Sequence, residues 1–461
     1  MNRFKAALKK IFRLYRLEEV FTPSSSAVVS YVHRESLERE LDKYLQQTGK
    51  AIIIYGNTGS GKTTLVNTIL KQNKINSINI ACESTTTYTD ILSRAIDELG
   101  VYYVQQKKSS RQYRTKGTVG IEYAKFKANL DESNTLSTEN ISERVIQPQI
   151  SAQKLASFLG EAHVILVLED FHKVIPEEKK RLTDLIKVFI DEANHYHDLK
   201  VVCIGAVDSP RELIQPDSEL KPRVAQIEVP LLSDDEIEKL IKLGSSSLNI
   251  EMSTALIDKI KTYSNHIASL AHEMCYDICY DEGICKSRRI KVKVSDEKFI
   301  VAVTSYINAN LDLFTKVYEM CTKDSLGWYV LKTITTFSKS AKFSAIEKKI
   351  NSTPKLKNTH KRRLTPRQKY SKEEIQAKLD LFTSDDYKVL RYNSNAETYS
   401  ISSPFWGAFL KMQMEIERAE TYRRNKEKRN PNLRFRNVDD TNNAVLLAFM
   451  NKFKIAIDVR D

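Results

Sequence analysis

A glycine-rich loop between a strand and a helix is the feature that most constrains this chain. The apolar run Ala51–Tyr55 is short, β-branched and bounded by glycine, so it predicts a buried parallel strand. Residues 56–63 fit the pattern glycine, four residues, glycine, lysine, threonine, and a helix is predicted from Gly61. Such glycines let backbone amides turn inward, and a helix N-terminus attracts anions, so the loop predicts phosphate binding. The predicted contact residues are Gly56, Asn57, Thr58, Gly59, Ser60, Gly61, Lys62, Thr63 and Thr64.

A pair of carboxylates follows a second buried strand, predicted at residues 164–168. A nucleoside triphosphate site needs one carboxylate to hold Mg²⁺ and another to orient the attacking water. Glu169 and Asp170 stand where both are required, and Lys62 is predicted to span the β- and γ-phosphates. We assign Mg²⁺ to Thr63 and Glu169, and water activation to Asp170. The alternative is that the pair only caps the end of the strand.

The order of predicted strands and helices along the rest of the chain predicts the fold class. Strands alternate with helices up to residue 230, which predicts an α/β core with a parallel sheet. A capping box at Ser233 and Glu236 opens a helix that we expect to stop at Gly244. The predicted divisions are a basic amphipathic helix and linker (1–26), an α/β core (27–230, with an insertion or mobile loop at 105–149), a helical lid (231–322), a winged helix (323–415) and a charged tail (416–461).

These motifs together resemble the AAA+ ATPases, a class of P-loop NTPases, in particular the branch of origin-recognition initiators and STAND-type signalling ATPases. The resemblance rests on residues 31–35, the phosphate loop, the strand before Glu169 and Asp170, and residues 207–210 continuing to 222–224. It implies that ATP or ADP and Mg²⁺ are bound, and that Tyr31 and Arg34 flank the adenine. It also implies that Arg223 is an arginine finger that reaches a neighbouring subunit, although a solvated surface arginine is the alternative.

Two departures from the family pattern bear on hydrolysis. The polar sensor after the strand 201–204 would fall at Gly205 or Ala206, and the lid segment 264–272 has no sensor arginine. We therefore expect slow or partner-stimulated hydrolysis of ATP to ADP and phosphate. His266 or His272 are alternatives for contacting phosphate, but histidines in the core of the lid are the favoured interpretation.

Charge and cysteine content limit the partners and the compartment. The net charge of +13 favours a polyanionic partner, and basic residues concentrate at 3–16, 355–369 and 423–436. DNA binding through the winged helix and these segments is weighed equally against mechanical or protein docking. The six cysteines predict a reducing, cytoplasmic setting, and we expect no transmembrane segment or secretion signal. Zinc at His272, Cys275, Cys279 and Cys285 is weighed against one buried helix face, which is favoured.

Two hypotheses of function follow. The first is a nucleotide-dependent switch in a prokaryotic homo-oligomer or partner assembly, in signalling or antiviral defence. The second is a DNA-bound initiator or mobile-element ATPase. Salt-sensitive duplex binding and DNA-stimulated hydrolysis would distinguish the second from the first.

Overall fold

The computed structural model describes residues 14–106, 121–123, 141–144, 151–207, 209–210, 213, 220–309, 314–337, 340–352, 369–394 and 396–414. The chain divides into two compact units. The α/β unit is His33–Leu231, and the helical unit comprises the residues up to Val32 and those from Leu232 onward. The predicted N-terminal amphipathic helix and charged tail lie almost entirely outside the described residues, as does most of the basic segment 355–369.

The helical unit begins with a short helix, α1 (Leu17–Val20), and the α/β unit follows. The helices of the α/β unit are α2 (Glu35–Gln46), α3 (Lys62–Gln72), α4 (Tyr88–Leu99), α5 (Ala152–Glu161) and α6 (Pro176–Glu192). Its strands are β1 (Ala51–Tyr55), β2 (Asn76–Ala81), β3 (Val101–Gln106), β4 (Ile121–Tyr123), β5 (Ile141–Arg144), β6 (Val164–Glu169), β7 (Val201–Gly205) and β8 (Val224–Glu228).

The core of the α/β unit is a five-stranded parallel sheet in the order β2-β6-β7-β1-β8. Successive residues of β1 point to opposite faces, so Ile53 joins one hydrophobic cluster while Ile52 and Ile54 join the other. Both faces are therefore covered, as the β-branched run predicts for a buried parallel strand. The predicted strands 51–55, 164–168 and 201–204 are confirmed within one residue at each end.

The insertion predicted at 105–149 contains regular structure. The strands β3, β4 and β5 form an antiparallel sheet in the order β4-β3-β5. These strands were not predicted, because the segment is polar, and its assignment as an insertion or mobile loop stays a prediction.

The helical unit continues after the α/β unit. Its helices are α7 (Asp234–Leu248), α8 (Thr254–Ser264), α9 (Ala268–Asp281), α10 (Phe299–Ala309), α11 (Lys316–Cys321), α12 (Ser325–Ile334), α13 (Phe343–Ser352), α14 (Lys372–Thr383) and α15 (404–414). Its strands are β9 (Ile250–Glu251), β10 (Val292–Lys293), β11 (Ala341–Lys342), β12 (Leu390–Asn393) and β13 (Thr398–Ile401). Within the described residues, none of the helices is long and apolar enough to cross a membrane.

Helix α7 corrects one expectation. The capping box predicted at Ser233 and Glu236 is present, but α7 does not stop at Gly244. Gly244 is buried, and a Cβ atom there would collide with the ring of Phe21. The glycine therefore provides room for an aromatic ring to pack against α7, and the helix ends at an Asn249 in the left-handed conformation.

The last part of the helical unit is a module of helices and a small sheet. The order is α12, β11, α13, α14, β12, β13, and the three strands pair antiparallel as β11-β13-β12. Strand β11 was not predicted, because it is only two residues long. We call these elements the C-terminal module, and the winged helix expected at 323–415 stays a prediction.

Candidate nucleotide-binding site

The loop after β1 has the backbone conformation that its glycines permit. Gly56, Gly59 and Gly61 have φ values of 138°, 79° and 88°, which side chains strongly disfavour. A Cβ atom on Gly56 would collide with the Val229 carbonyl, whereas one on Gly61 would meet no atom within 4 Å. The loop therefore borders open space immediately before α3, where the helix N-terminus presents unpaired amides.

Lys62 folds back over this loop. Its ammonium donates hydrogen bonds to the carbonyls of Gly56 (2.9 Å) and Asn57 (2.7 Å), and the side chain is 8% exposed. Burial lowers the pKa of Lys62 to about 8, and the charge of Asp170 partly opposes that shift. The hydroxyl of Ser60 is buried and has no hydrogen-bond partner among the described residues. A phosphate would give both groups a charged or polar partner.

Glu169 lies beside the first turn of α3. The Thr63 hydroxyl donates to one carboxylate oxygen of Glu169 at 3.4 Å, and the Asn79 amide donates to the other at 3.2 Å. Two oxygens that each lie about 2.1 Å from one Mg²⁺ are no more than about 4.2 Å apart. The separation of 3.4 Å between the Thr63 and Glu169 oxygens is within that limit, so both could bind one ion. The structure thus brings together the two residues predicted to hold Mg²⁺. Asn79 was not predicted as a site residue, because its strand β2 also carries the polar residues Asn76 and Ser77.

Asp170 differs from Glu169 in conformation and partner. It adopts the left-handed conformation (φ 53°, ψ 30°), which is uncommon for a residue with a side chain and occurs often at functional sites. Its carboxylate pairs with the Lys173 ammonium at 2.6 Å, and both side chains are half exposed. That hydrogen bond and the charge of Asp170 raise the pKa of Lys173. The turn therefore points the two adjacent carboxylates to different partners, which separates their roles.

His172 is bonded to the position where the polar sensor is missing. The backbone amide of Ala206 donates to His172 Nδ1 at 3.2 Å. Because Nδ1 accepts, Nε2 carries the proton of the neutral ring. Burial lowers the pKa of His172, and the charges of Asp170 and Lys62 also act on the ring. Sequence analysis missed this residue, since only the strand order brings the turn after β6 beside the end of β7.

Two other predicted site residues lie in the α/β unit. The Arg34 guanidinium donates to the carbonyls of Pro230 (2.8 Å) and Leu231 (3.4 Å), just after the strand that flanks the phosphate loop. Arg223 precedes β8, whose first residue pairs with Ala51 at the start of β1, so Arg223 lies at the end of the sheet opposite the loop. It pairs there with Asp191 at 2.6 Å. Tyr31 belongs to the helical unit, and its place beside adenine stays a prediction.

The histidines of the lid have partners within the helical unit. His272 is 3% exposed, its Nδ1 accepts the Thr22 amide at 3.1 Å, and burial lowers its pKa to about 4. The Nδ1 of His266 lies 3.1 Å from the Leu232 carbonyl and 3.5 Å from Asp234. His272 therefore lies in the core of the lid, as the favoured interpretation expects, whereas the His266 side chain is 45% exposed. Across the described ranges, no group of three or more histidine, cysteine, aspartate or glutamate side chains is placed to hold a metal ion.

Comparisons with known proteins agree with this geometry. Residues 32–196 match the family model described as the AAA ATPase domain. The Walker-type ATPase paby2304 of Pyrococcus abyssi is similar in structure, with a TM-score of 0.50 and 15% identity over 83% of this chain and 96% of that chain. The ORC2 protein of Aeropyrum pernix has a TM-score of 0.46 and 11% identity over 87% of this chain and 100% of that chain. None of the curated proteins matches the sequence.

The fold and the site define the class of protein. A parallel sheet in this order, with a phosphate loop after the interior strand β1 and acidic residues at the end of β6, is the fold of a P-loop NTPase of the AAA+ type. The α/β unit of this chain accordingly has the fold of an AAA+ ATPase core.

Proposed function

We propose that this chain is an ATP-hydrolysing molecular switch, of the kind used in signalling and defence ATPases, that works within an assembly. The observation that carries the proposal is the convergence of Lys62, Thr63 and Glu169 at the carboxyl end of the sheet. Bound Mg²⁺ would supply Lewis-acid stabilisation of the phosphate charge. Lys62 would bind the β- and γ-phosphates, Thr63 and Glu169 would hold the metal, and Asp170 would accept the proton of the attacking water.

Partner dependence follows from the ion pair at Asp170. The Asp170 carboxylate is engaged by the Lys173 ammonium, so that pair must open before the carboxylate can bond to an attacking water. The absence of a side-chain sensor at Gly205 or Ala206 acts in the same direction. Both features support basal hydrolysis that is slow until a partner or a neighbouring subunit rearranges the site.

Assembly is supported by the position of Arg223. Arg223 lies beside the first residue of β1, and the phosphate loop follows the last. The five residues between them span roughly 17 Å along the strand. Arg223 therefore does not reach the phosphates of its own chain, and a role in hydrolysis requires a second copy. The half-exposed pair with Asp191 would hold the guanidinium at the surface until that copy arrives.

The test is to measure ATP turnover and particle mass together over a range of protein concentrations. We expect turnover per chain to rise as the particles enlarge, and Arg223→Ala to remove that rise while leaving ATP binding unchanged. Asp191→Ala is the matched control, which frees the arginine and should preserve the rise. If Arg223→Ala turns over ATP as fast as the wild type in the assembled state, the finger in trans is wrong. If the wild type does not bind ATP, the whole proposal is wrong.

A further inference from the structure

A basic loop in the helical unit lies outside the three basic segments noted in the sequence. We define the basic loop as residues 286–293, between α9 and α10. Five of its eight residues are basic, and all five are exposed. They are Lys286, Arg288, Arg289, Lys291 and Lys293.

The backbone of the basic loop is held in place along its length. The Asn249 side-chain amide donates to the carbonyls of Arg288 (3.0 Å) and Arg289 (3.3 Å). The Arg288 amide donates to the Leu248 carbonyl at 2.9 Å, and β10 pairs with β9 in parallel. Because this part of the backbone is already ordered, a ligand that binds the side chains need not supply the free energy of ordering it.

The N-terminal stretch of the chain lies along the basic loop. The Tyr15 amide donates to the Ser287 hydroxyl at 2.9 Å, and the Ser287 amide donates back to the Tyr15 carbonyl at 2.8 Å. Arg16 forms an antiparallel bridge with Lys286. Positive charge from two distant parts of the sequence is thus brought to one surface, and Arg16 is partly compensated by Glu18 at 3.3 Å.

Most of the charge on the basic loop lacks a compensating carboxylate. Lys291 pairs with Glu251 at 3.3 Å. For Lys286, Arg289 and Lys293, no carboxylate within the described residues lies at ion-pair distance. The C-terminal module differs, because Lys378 of α14 pairs with Asp324 at 2.5 Å. Uncompensated charge on an ordered backbone raises the local concentration of anions.

We propose that the basic loop binds the phosphate backbone of a nucleic acid, through Lys286, Arg289 and Lys293. A nucleic acid fits this surface better than an anionic membrane does. Binding at a membrane interface requires an apolar face, and the loop exposes a single large apolar side chain, Ile290, at 83% exposure. Contacts of this kind are insensitive to sequence and release condensed counterions. The surface lies in the helical unit, and its binding does not depend on ATP hydrolysis. Duplex binding that leaves ATP turnover unchanged is compatible with the switch proposed above.

The experiment measures binding of the full-length protein to short fluorescent DNA and RNA duplexes at several KCl concentrations. The loop variant is Lys286→Ala/Arg289→Ala/Lys293→Ala, and the matched control removes three exposed lysines of the α/β unit, Lys71→Ala/Lys74→Ala/Lys180→Ala. We expect the loop variant to lose at least about tenfold in affinity at low salt. The slope of log affinity against log salt should fall by up to about 3, since each phosphate contact contributes about 0.9. The control should retain the wild-type slope, and the two duplexes show which nucleic acid is preferred.

Three outcomes would overturn the proposal. The first is a wild-type protein that binds neither duplex at low salt. The second is an equal loss in the loop and control variants, which would show an effect of net charge alone. The third is loss of binding to phosphatidylserine vesicles with unchanged duplex binding, which would assign the surface to membranes. Matching circular dichroism melts for the variants and the wild type establish that all of them fold.

Discussion

Lys62 and Lys200 lie at opposite ends of the same parallel sheet and share most of their local chemistry. Their side chains are 8% and 2% exposed, and burial lowers the pKa of each to about 8. Each ammonium donates to main-chain carbonyls, Lys62 to those of Gly56 and Asn57 and Lys200 to that of Gln47. Each also feels the charge of one aspartate, Asp170 for Lys62 and Asp198 for Lys200.

The surroundings of the two lysines differ. Lys62 begins a helix, follows three glycines with positive φ and borders open space, so an anion can displace its carbonyl partners. Lys200 precedes β7 and is enclosed at the amino end of the sheet, while Asp198 lies 3.2 Å from His163. A perturbed pKa therefore does not by itself identify a site. What distinguishes the nucleotide site from the buried Lys200 is the helix N-terminus, the glycines of the loop and the second carboxylate beside it.

The largest expected effect is on ATP turnover, and it should distinguish Asp170 from Asp198. Asp170→Asn should lower ATP turnover by about a hundredfold to ten-thousandfold, the usual contribution of a general base, while ATP affinity stays within a few fold. Asp198→Asn, at the other end of the sheet, should leave turnover unchanged. Phosphate release and equilibrium binding measure the two quantities. Unchanged turnover in Asp170→Asn together with a collapse in Glu169→Gln would mean that the two carboxylates exchange roles.

Removal of each lysine tests the comparison directly. Lys62→Ala should weaken ATP binding by about 100-fold, because two charge-assisted hydrogen bonds to phosphate contribute at least about 1.5 kcal/mol each. Lys200→Met should bind ATP as tightly as the wild type. Isothermal titration calorimetry gives both affinities. Equal losses in the two variants would show that the lysines act through stability and not through contact with the nucleotide.

The pH dependence of binding should reflect only Lys62. Phosphates favour its charged form, so affinity should be constant below pH 8 and fall above it, by up to about tenfold per pH unit. Binding in that range should take up a proton, which calorimetry in buffers of different ionisation enthalpy detects. Lys62→Arg is the control, because an arginine stays charged over the whole range. A wild-type affinity that does not change up to pH 10 would contradict the assignment.

The smallest effect concerns stability at the amino end. The folded pKa of Lys200 lies below its unfolded value, so between pH 8 and about 10.5 the unfolded chain binds more protons and stability should rise with pH. Lys200→Met should remove this part of the rise, at most about 1.4 kcal/mol per pH unit. Urea unfolding of both proteins at pH 7, 8 and 9 measures the difference. Parallel curves would show that Lys200 is not protonated differently in the two states.

Much of the fold and part of the site were predictable from contiguous residues. The run Ala51–Tyr55 and the carboxylates after β6 were found because a buried strand, a glycine turn and a helix start are local patterns. Helix α3 begins at Lys62, one residue after the predicted start at Gly61, for the same reason. The continuation of α7 past Gly244 was not predictable, since it depends on a ring from a distant segment.

The sequence by itself determined the chemistry of the phosphate loop, because backbone chirality and helix initiation act over a few neighbouring residues. Only the tertiary structure decided which strand lies beside which. That strand order brings the Asn79 amide into hydrogen-bonding distance of Glu169 and His172 into hydrogen-bonding distance of the Ala206 amide. It also places Arg223 at the end of the sheet far from the phosphate loop. The packing of the helical unit likewise pairs the backbones of Arg16 and Lys286. Contacts between distant segments depend on packing of the whole chain, and no local pattern of residues records them.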